Sequence, residues 1–203
     1  MLDSSHPKIS AYRDLLLHYN ETTNIYSKKS YNALDFHIQD SINLANLISK
    51  EGVHVDMGSG SGLPGIVLAI LMGVKVVCLE SRLRKREFLT HAKNALDLKN
   101  LEVFNGDIKM FAKRYSGKKI GGFSAKALAK PPKVLDFLSD FKMHSYNRDA
   151  VCWIPVSKNQ VEILGEFGHV ETVEVAGVCF YYFMVLLKNH RDYKEDLRSR
   201  YNL

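Results

Sequence analysis

The stretch Val55-Asp56-Met57-Gly58-Ser59-Gly60-Ser61-Gly62-Leu63-Pro64-Gly65 decides the fold. The apolar run Val53–Met57 ends in glycines at alternating positions, and residues 64–72 then read as a helix. A strand that turns on glycines into a helix brings free backbone N–H groups to the strand's carboxyl end, where polar ligand atoms can be held. Glycine suits this turn because it adopts positive φ and lets a ligand approach without a Cβ. The spacing is Gly58-x-Gly60-x-Gly62, with Asp56 two positions earlier. The pyrophosphate loop of dinucleotide enzymes is Gly-x-Gly-x-x-Gly.

Outward from the loop the hydrophobic period alternates. Residues 8–20 and roughly 33–50 carry apolar positions at helical spacing, separated by a polar segment that reads as loop. After the glycine loop, strands are expected at 75–79, 101–104, 120–127 and 150–154, with helices at 84–96, 108–115 and 134–141 between them. Two late strands, 169–175 and 178–187, have no helix between them. Strands alternating with helices imply a mostly parallel sheet covered on both faces, and the closing pair implies an antiparallel edge. The reading is one domain over 1–203: a helical extension (1–51), a ligand-binding core (52–188) and a polar tail (189–203).

The 203 residues fit one α/β domain better than two. With 46% apolar and 25% charged residues, the composition is that of a water-soluble globular protein. The scattered Cys78, Cys152 and Cys179 lie in apolar runs and read as buried thiols of a reducing compartment. No signal-peptide core or membrane-length apolar run is present, so the expectation is a cytoplasmic protein without membrane contact. No His/Cys cluster has metal-ligand spacing, and no metal is expected. The net charge of +6 permits an anionic partner without requiring one.

Glu80 ends the second core strand, one βαβ unit after Asp56, where a carboxylate can accept both hydroxyls of a ribose. A surface glutamate at a strand end is the alternative. The acidic-x-Gly-x-Gly-x-Gly form is that of methyltransferase loops, which lie beside the methionine and ribose of S-adenosylmethionine. The chain further resembles the bacterial 16S rRNA guanine-N7 methyltransferase family (RsmG/GidB). The resemblance rests on Asn24-Ile25-Tyr26-Ser27, on His37-Ile38-Gln39-Asp40-Ser41, on the glycine loop with Leu63-Pro64-Gly65, and on Glu80 to Leu89.

That resemblance implies a Rossmann-like class I methyltransferase with a seven-stranded, mostly parallel sheet. It also implies methyl transfer from S-adenosylmethionine to a guanine N7 in 16S rRNA near the decoding centre, on the rRNA or the small subunit. A monomer is expected, and the alternatives are a methyltransferase with another acceptor or a non-catalytic ribosome-binding or assembly factor that keeps the fold. Together the loop and the resemblance put Asp56, Gly58, Gly60, Leu63, Glu80, Asp107, Ile108, Lys109 and Lys126 at the cofactor, with Lys126 also the catalytic candidate. The chain departs from the family at three places. Asp107-Ile108-Lys109 replaces Arg-Ala-Glu, Ala125-Lys126-Ala127 replaces Ser-Arg-Ala, and Ile154-Pro155-Val156 stands where Leu-Lys-Gly is usual.

Guanine N7 offers a free lone pair, so its methylation needs alignment more than a general base. The sequence matches that demand, since no convincing acid–base pair is found. Ala129-Lys130-Pro131-Pro132-Lys133 offers no amide or carboxylate for an exocyclic amine, and Cys152 sits in an apolar strand as a core residue. Arg84, Lys85, Arg86 and Lys130 are the candidate RNA contacts, with a solvated face as the alternative. His37, with Asp40 three residues on, either touches RNA or makes a structural hydrogen bond. Tyr12, Tyr19 and Trp153 read as core.

Overall fold

In the computed structural model, residues 5–189 are described. Two helices precede the sheet. Helix α1 (Pro7–Thr22) has Pro7 at its first position, where a missing N–H costs nothing, and the His6 side chain accepts from the Lys8 amide at 3.2 Å. A 3₁₀ helix (Lys28–Ala33) leads into α2 (Leu34–Leu47). The polar segment between them is organised by buried Asn20. Its Nδ2 donates to the Tyr26 carbonyl at 2.8 Å and the Tyr31 hydroxyl at 2.7 Å. Its Oδ1 accepts from the Ile25 and Tyr26 amides at 3.0 and 3.1 Å. All of that side chain's polar capacity is used within one loop, which explains an asparagine at a fully buried position.

The sheet contains β1 (Val53–Met57), β2 (Val76–Glu80), β3 (Leu101–Asn105), β4 (Ile120–Ser124), β5 (Tyr146–Val156), β6 (His169–Val175) and β7 (Val178–Leu186). Their order is β3-β2-β1-β4-β5-β7-β6. Strands β1 to β5 pair in parallel, and β7 runs antiparallel between β5 and β6. The order reverses at β1, so the β1 and β4 carboxyl ends flank a crevice, the usual place for a ligand in an open α/β sheet.

Alternation along the strands divides the core in two. Val76, Cys78, Trp153 and Tyr182 face the layer of α1, α2, α3 (Gly65–Leu71) and α4 (Leu83–Ala95). Val77, Leu79, Cys152, Phe183 and Val185 face α5 (Ile108–Arg114), α6 (Pro131–Leu138) and α7 (Lys158–Gly165). Tyr12 is fully buried, and Tyr19 packs on Phe88 of α4 with ring centroids 5.1 Å apart.

Several expectations need correction. Helix α7 was not expected, because only Leu164 among its residues is buried and the hydrophobic signal is weak. The readable sign was Ser157-x-x-Gln160, which forms a capping box. Strand β5 begins at Tyr146 instead of 150: Tyr146 pairs with Ile120 of β4, and polar Asn147-Arg148-Asp149 lie in an irregularity before the register resumes at Val151 opposite Gly122. Cys179 is exposed near the edge hairpin, whereas Cys78 and Cys152 are buried and their thiols pushed well above the ordinary range. The tail expected over 189–203 lies, from residue 190, outside the described residues. Among the described residues no helix is long and apolar enough to cross a membrane.

His54 on β1 is buried, and burial lowers its pKa to about 3. Its Nε2 lies 3.1 Å from the Ser124 hydroxyl, and its Nδ1 has no hydrogen-bond partner among the described residues. A lowered pKa makes its contribution complete above the unfolded value near 6.5 and lost as pH falls towards 3. Between pH 7 and 5 the loss amounts to about 2 kcal/mol. Urea unfolding of His54→Gln at both pH values is expected to show a pH-dependent loss smaller than that of the unaltered chain by about this amount.

Candidate active site

The glycine loop is built by backbone geometry and held by two carboxylates. Gly58 and Gly60 have φ of 72° and 58°, a region that a side chain makes costly. A Cβ on Gly58 would also stand 2.5 Å from the Leu128 side chain. Behind the loop, Asp56 is 1% exposed. Its Oδ2 accepts from the Gly65 amide at 3.1 Å and its Oδ1 from the Ser124 hydroxyl at 2.7 Å. Burial raises its pKa, opposed by these hydrogen bonds. Gly65 must be glycine for this contact, since a Cβ would lie 2.7 Å from Asp56 Oδ2 and 2.4 Å from Cys78 Sγ.

Glu80 holds the loop from the other side. Its Oε2 accepts from the Gly60 amide and its Oε1 from the Arg82 amide, both at 2.9 Å. Glu80 thereby sits at the lip of a cavity of about 450 Å³ at the carboxyl ends of β1, β2 and β4. Gly58, Asp107, Ile108 and Lys109 also line it, as does Lys85. Asp107 caps α5, accepting from the Met110 amide at 2.7 Å.

The remaining expected site residues lie around this cavity and not in its wall. Asp56 is behind the loop with both oxygens occupied, so it braces the turn. Leu63 is 8% exposed and packs in the core against the N-terminal helices. Gly60 forms the loop's crest beneath Lys85, whose Nζ would lie 3.7 Å from a Cβ there. Arg86 turns inward, its Nη1 donating to the Ser81 carbonyl and, at 3.4 Å, to that of Glu80. Arg84 is exposed on the first turn of α4, and Lys130 is exposed just before α6.

Lys126, the catalytic candidate, is tied to the helical extension. Its Nζ pairs with Asp40 Oδ2 at 2.5 Å and donates to the His37 carbonyl at 3.2 Å, with side-chain exposures of 14% for Lys126 and 8% for Asp40. The Tyr182 hydroxyl donates to the Asp40 carbonyl at 3.0 Å, fixing α2 to β7 as well. His37 Nδ1 is 2.8 Å from the Tyr26 hydroxyl, and its pKa is lowered by burial and then by Lys126, against Asp40. Tyr12 Oη donates to the Ser61 carbonyl at 2.9 Å, so α1 also grips the glycine loop.

Sequence reasoning did not find Ala127, Leu128 or Phe137, which close the cavity opposite Glu80. Ala127 has φ of 51°, a strained conformation for alanine of the kind that collects at functional sites. No local composition marks it. A second cavity of about 250 Å³, lined by Ala127, Lys130, Pro155 and Gln160, opens beside the first. Among the described residues no group of three or more His, Cys, Asp or Glu is placed to hold a metal.

Removing one member of a buried ion pair leaves the other charge uncompensated and costs about 3–5 kcal/mol. Asp40→Ala is therefore expected to destabilise the chain by about 3 kcal/mol in urea unfolding. Replacing both members, as Asp40→Leu with Lys126→Met, is expected to recover at least half of that.

A family model described as GidB, rRNA small subunit methyltransferase G, matches residues 5–144. A ribosomal RNA small subunit methyltransferase G of Syntrophomonas wolfei is 32% identical over 170 residues, covering 77% of this chain and 78% of the relative. One of Erythrobacter litoralis is 34% identical over 150 residues, covering 72% and 68%. Among solved structures, cofactor-bound Rv0187 from MTB aligns with a TM-score of 0.62 at 13% identity, over 93% of each chain. A methyltransferase from Geobacter sulfurreducens aligns at 0.58 and 15%, over 92% of this chain and 91% of that one. The fold is thus the Rossmann-like class I methyltransferase fold. With more than half of its length matched by the family model, the chain belongs to the GidB family, rRNA small subunit methyltransferase G.

Proposed function

We propose that this chain transfers a methyl group from S-adenosylmethionine to N7 of a guanine in 16S rRNA near the decoding centre. The carrying observation is the cavity between the glycine loop and α5, with Glu80 at its lip and Gly58 in its wall. Its volume of about 450 Å³ falls within the range of small-molecule sites. The residues fit a nucleoside. Glu80 offers a carboxylate for ribose hydroxyls, buried Ile108 an apolar surface for a base, and Gly58 a Cβ-free wall.

S-adenosylmethionine supplies an activated methyl group on a sulfonium. The chain's work is to align an acceptor with it and exclude water, because N7 attacks through a lone pair and releases no proton. The smaller cavity sharing Ala127 suits the acceptor base. Methylation at N7 moves a positive charge onto the base, so an isolated ammonium nearby would oppose the reaction. Asp40 neutralises Lys126, which fits a positioning role for that lysine: it fastens α2 beside the strand end. We place this activity in the cytoplasm, on one chain in which extension and sheet form a single working unit.

Small ribosomal subunits lacking the modification, incubated with labelled S-adenosylmethionine, are expected to acquire label at one guanine N7. Gly58→Asp is expected to abolish it. Glu80→Gln is expected to weaken S-adenosylmethionine binding at least tenfold, about 1.4 kcal/mol. Cofactor binding with no label on subunits or free 16S rRNA would overturn the rRNA assignment.

A further inference from the structure

A second groove lies beside the cofactor cavity, between the loop after α1 and the first turn of α4. Lys28, Lys29, Arg82, Arg84 and Lys85 line it, against the single carboxylate of Glu21. Among the described residues none of the five cations has an ion-pair partner. Arg82 and Lys85 line both the groove and the cofactor cavity, so the two are continuous.

Two independent features show that this charge is arranged for an anion. The first is the start of α4. A helix N-terminus carries partial positive charge and favours Asp or Glu. Helix α4 has no acidic residue in its first turn and no side-chain cap, and Arg82, Arg84, Lys85 and Arg86 crowd that end. The carboxylate nearest that start, Glu80, already accepts the Gly60 and Arg82 amides, so the first-turn N–H groups and the crowded cations still favour a further anion. The second is the opposite wall. Lys28 and Lys29 open the 3₁₀ helix after a loop fixed by the four hydrogen bonds of Asn20. The charges are therefore held on a preorganised support.

From this we infer that the groove holds the phosphate backbone of the substrate RNA next to the target nucleotide, and that Lys28 and Lys29 are RNA-positioning residues. The inference rests on the proposed methylation of rRNA. Phosphates seated in the groove deliver the adjoining nucleotide to the mouth of the cofactor cavity through the shared Arg82 and Lys85. Guanidinium and ammonium contacts to phosphate carry no base preference, so sequence choice falls to the rest of the site.

The test uses the full chain and a labelled single-stranded oligoribonucleotide, with binding measured across salt concentrations. Each phosphate contact to a single strand contributes about 0.7 to the slope of log affinity against log salt. Lys28→Ala/Lys29→Ala/Arg84→Ala is expected to lower the slope by about 2. It is also expected to raise the KM for undermethylated subunits at least tenfold, with unchanged affinity for S-adenosylmethionine. Lys50→Ala/Lys119→Ala, which removes charges outside the groove, is expected to leave slope and KM as they were. A wild-type slope and KM in the triple variant, with methylation intact, would overturn the groove and leave the methyltransferase reading standing. A loss on assembled subunits but not on naked RNA would also overturn it, pointing to a protein contact instead. Absence of RNA binding and of label in the unaltered chain would remove both readings together.

Discussion

The buried carboxylate of Asp56 is the joint on which the site depends. One oxygen receives the amide that opens α3, the other the hydroxyl that ends β4. The same residue therefore fixes where the chain leaves β1, where it re-enters as a helix, and how far β4 stands from it. Desolvating a carboxylate is unfavourable, and the hydrogen bonds from Gly65 and Ser124 offset part of that cost. Gly65 follows from that contact, and the positive φ of Gly58 and Gly60 follows from the tight turn it encloses. Glu80 completes the loop from the neighbouring strand, so the cavity's rim is set by two acids with different tasks. Asp56 shapes the turn from within, and Glu80 presents its charge at the surface the turn creates.

The helical extension closes this arrangement from the other side. Tyr12 reaches the Ser61 carbonyl, and the Asp40–Lys126 pair joins α2 to the end of β4. Both ties land on segments bordering the cavity. The extension is thus coupled to the geometry of the site as well as to the core, and it carries one wall of the basic groove. In the proposed reading, a sheet that seats a small nucleoside ligand is enlarged on one flank by a basic groove suited to a polyanion.

The parts of this structure legible in sequence are those with local causes. The glycine spacing after an apolar run announces its own backbone requirement, and the alternation of strands and helices announces the sheet. Gly58, Glu80, Asp107, Ile108 and Lys109 were expected together and line one cavity. What escaped depends on partners distant in the chain. Nothing near Lys126 shows that Asp40 will neutralise it, and nothing near Arg86 shows that it will turn back onto the Ser81 carbonyl. Ala127 hides its positive φ in an ordinary residue, and α7 buries too little to show a period. The groove required the loop after α1 and the start of α4 to be seen together, although each basic pair is visible in the sequence.

The central claim is that the glycine loop and Glu80 form a seat for S-adenosylmethionine. A crystal structure of the chain with S-adenosylhomocysteine tests it most directly. The account predicts ribose hydroxyls within hydrogen-bond distance of the Glu80 carboxylate, the adenine beside Ile108, and Asp56 still bonded to Gly65 and Ser124. A ligand bound elsewhere, or a ribose that makes no contact with Glu80, would contradict it.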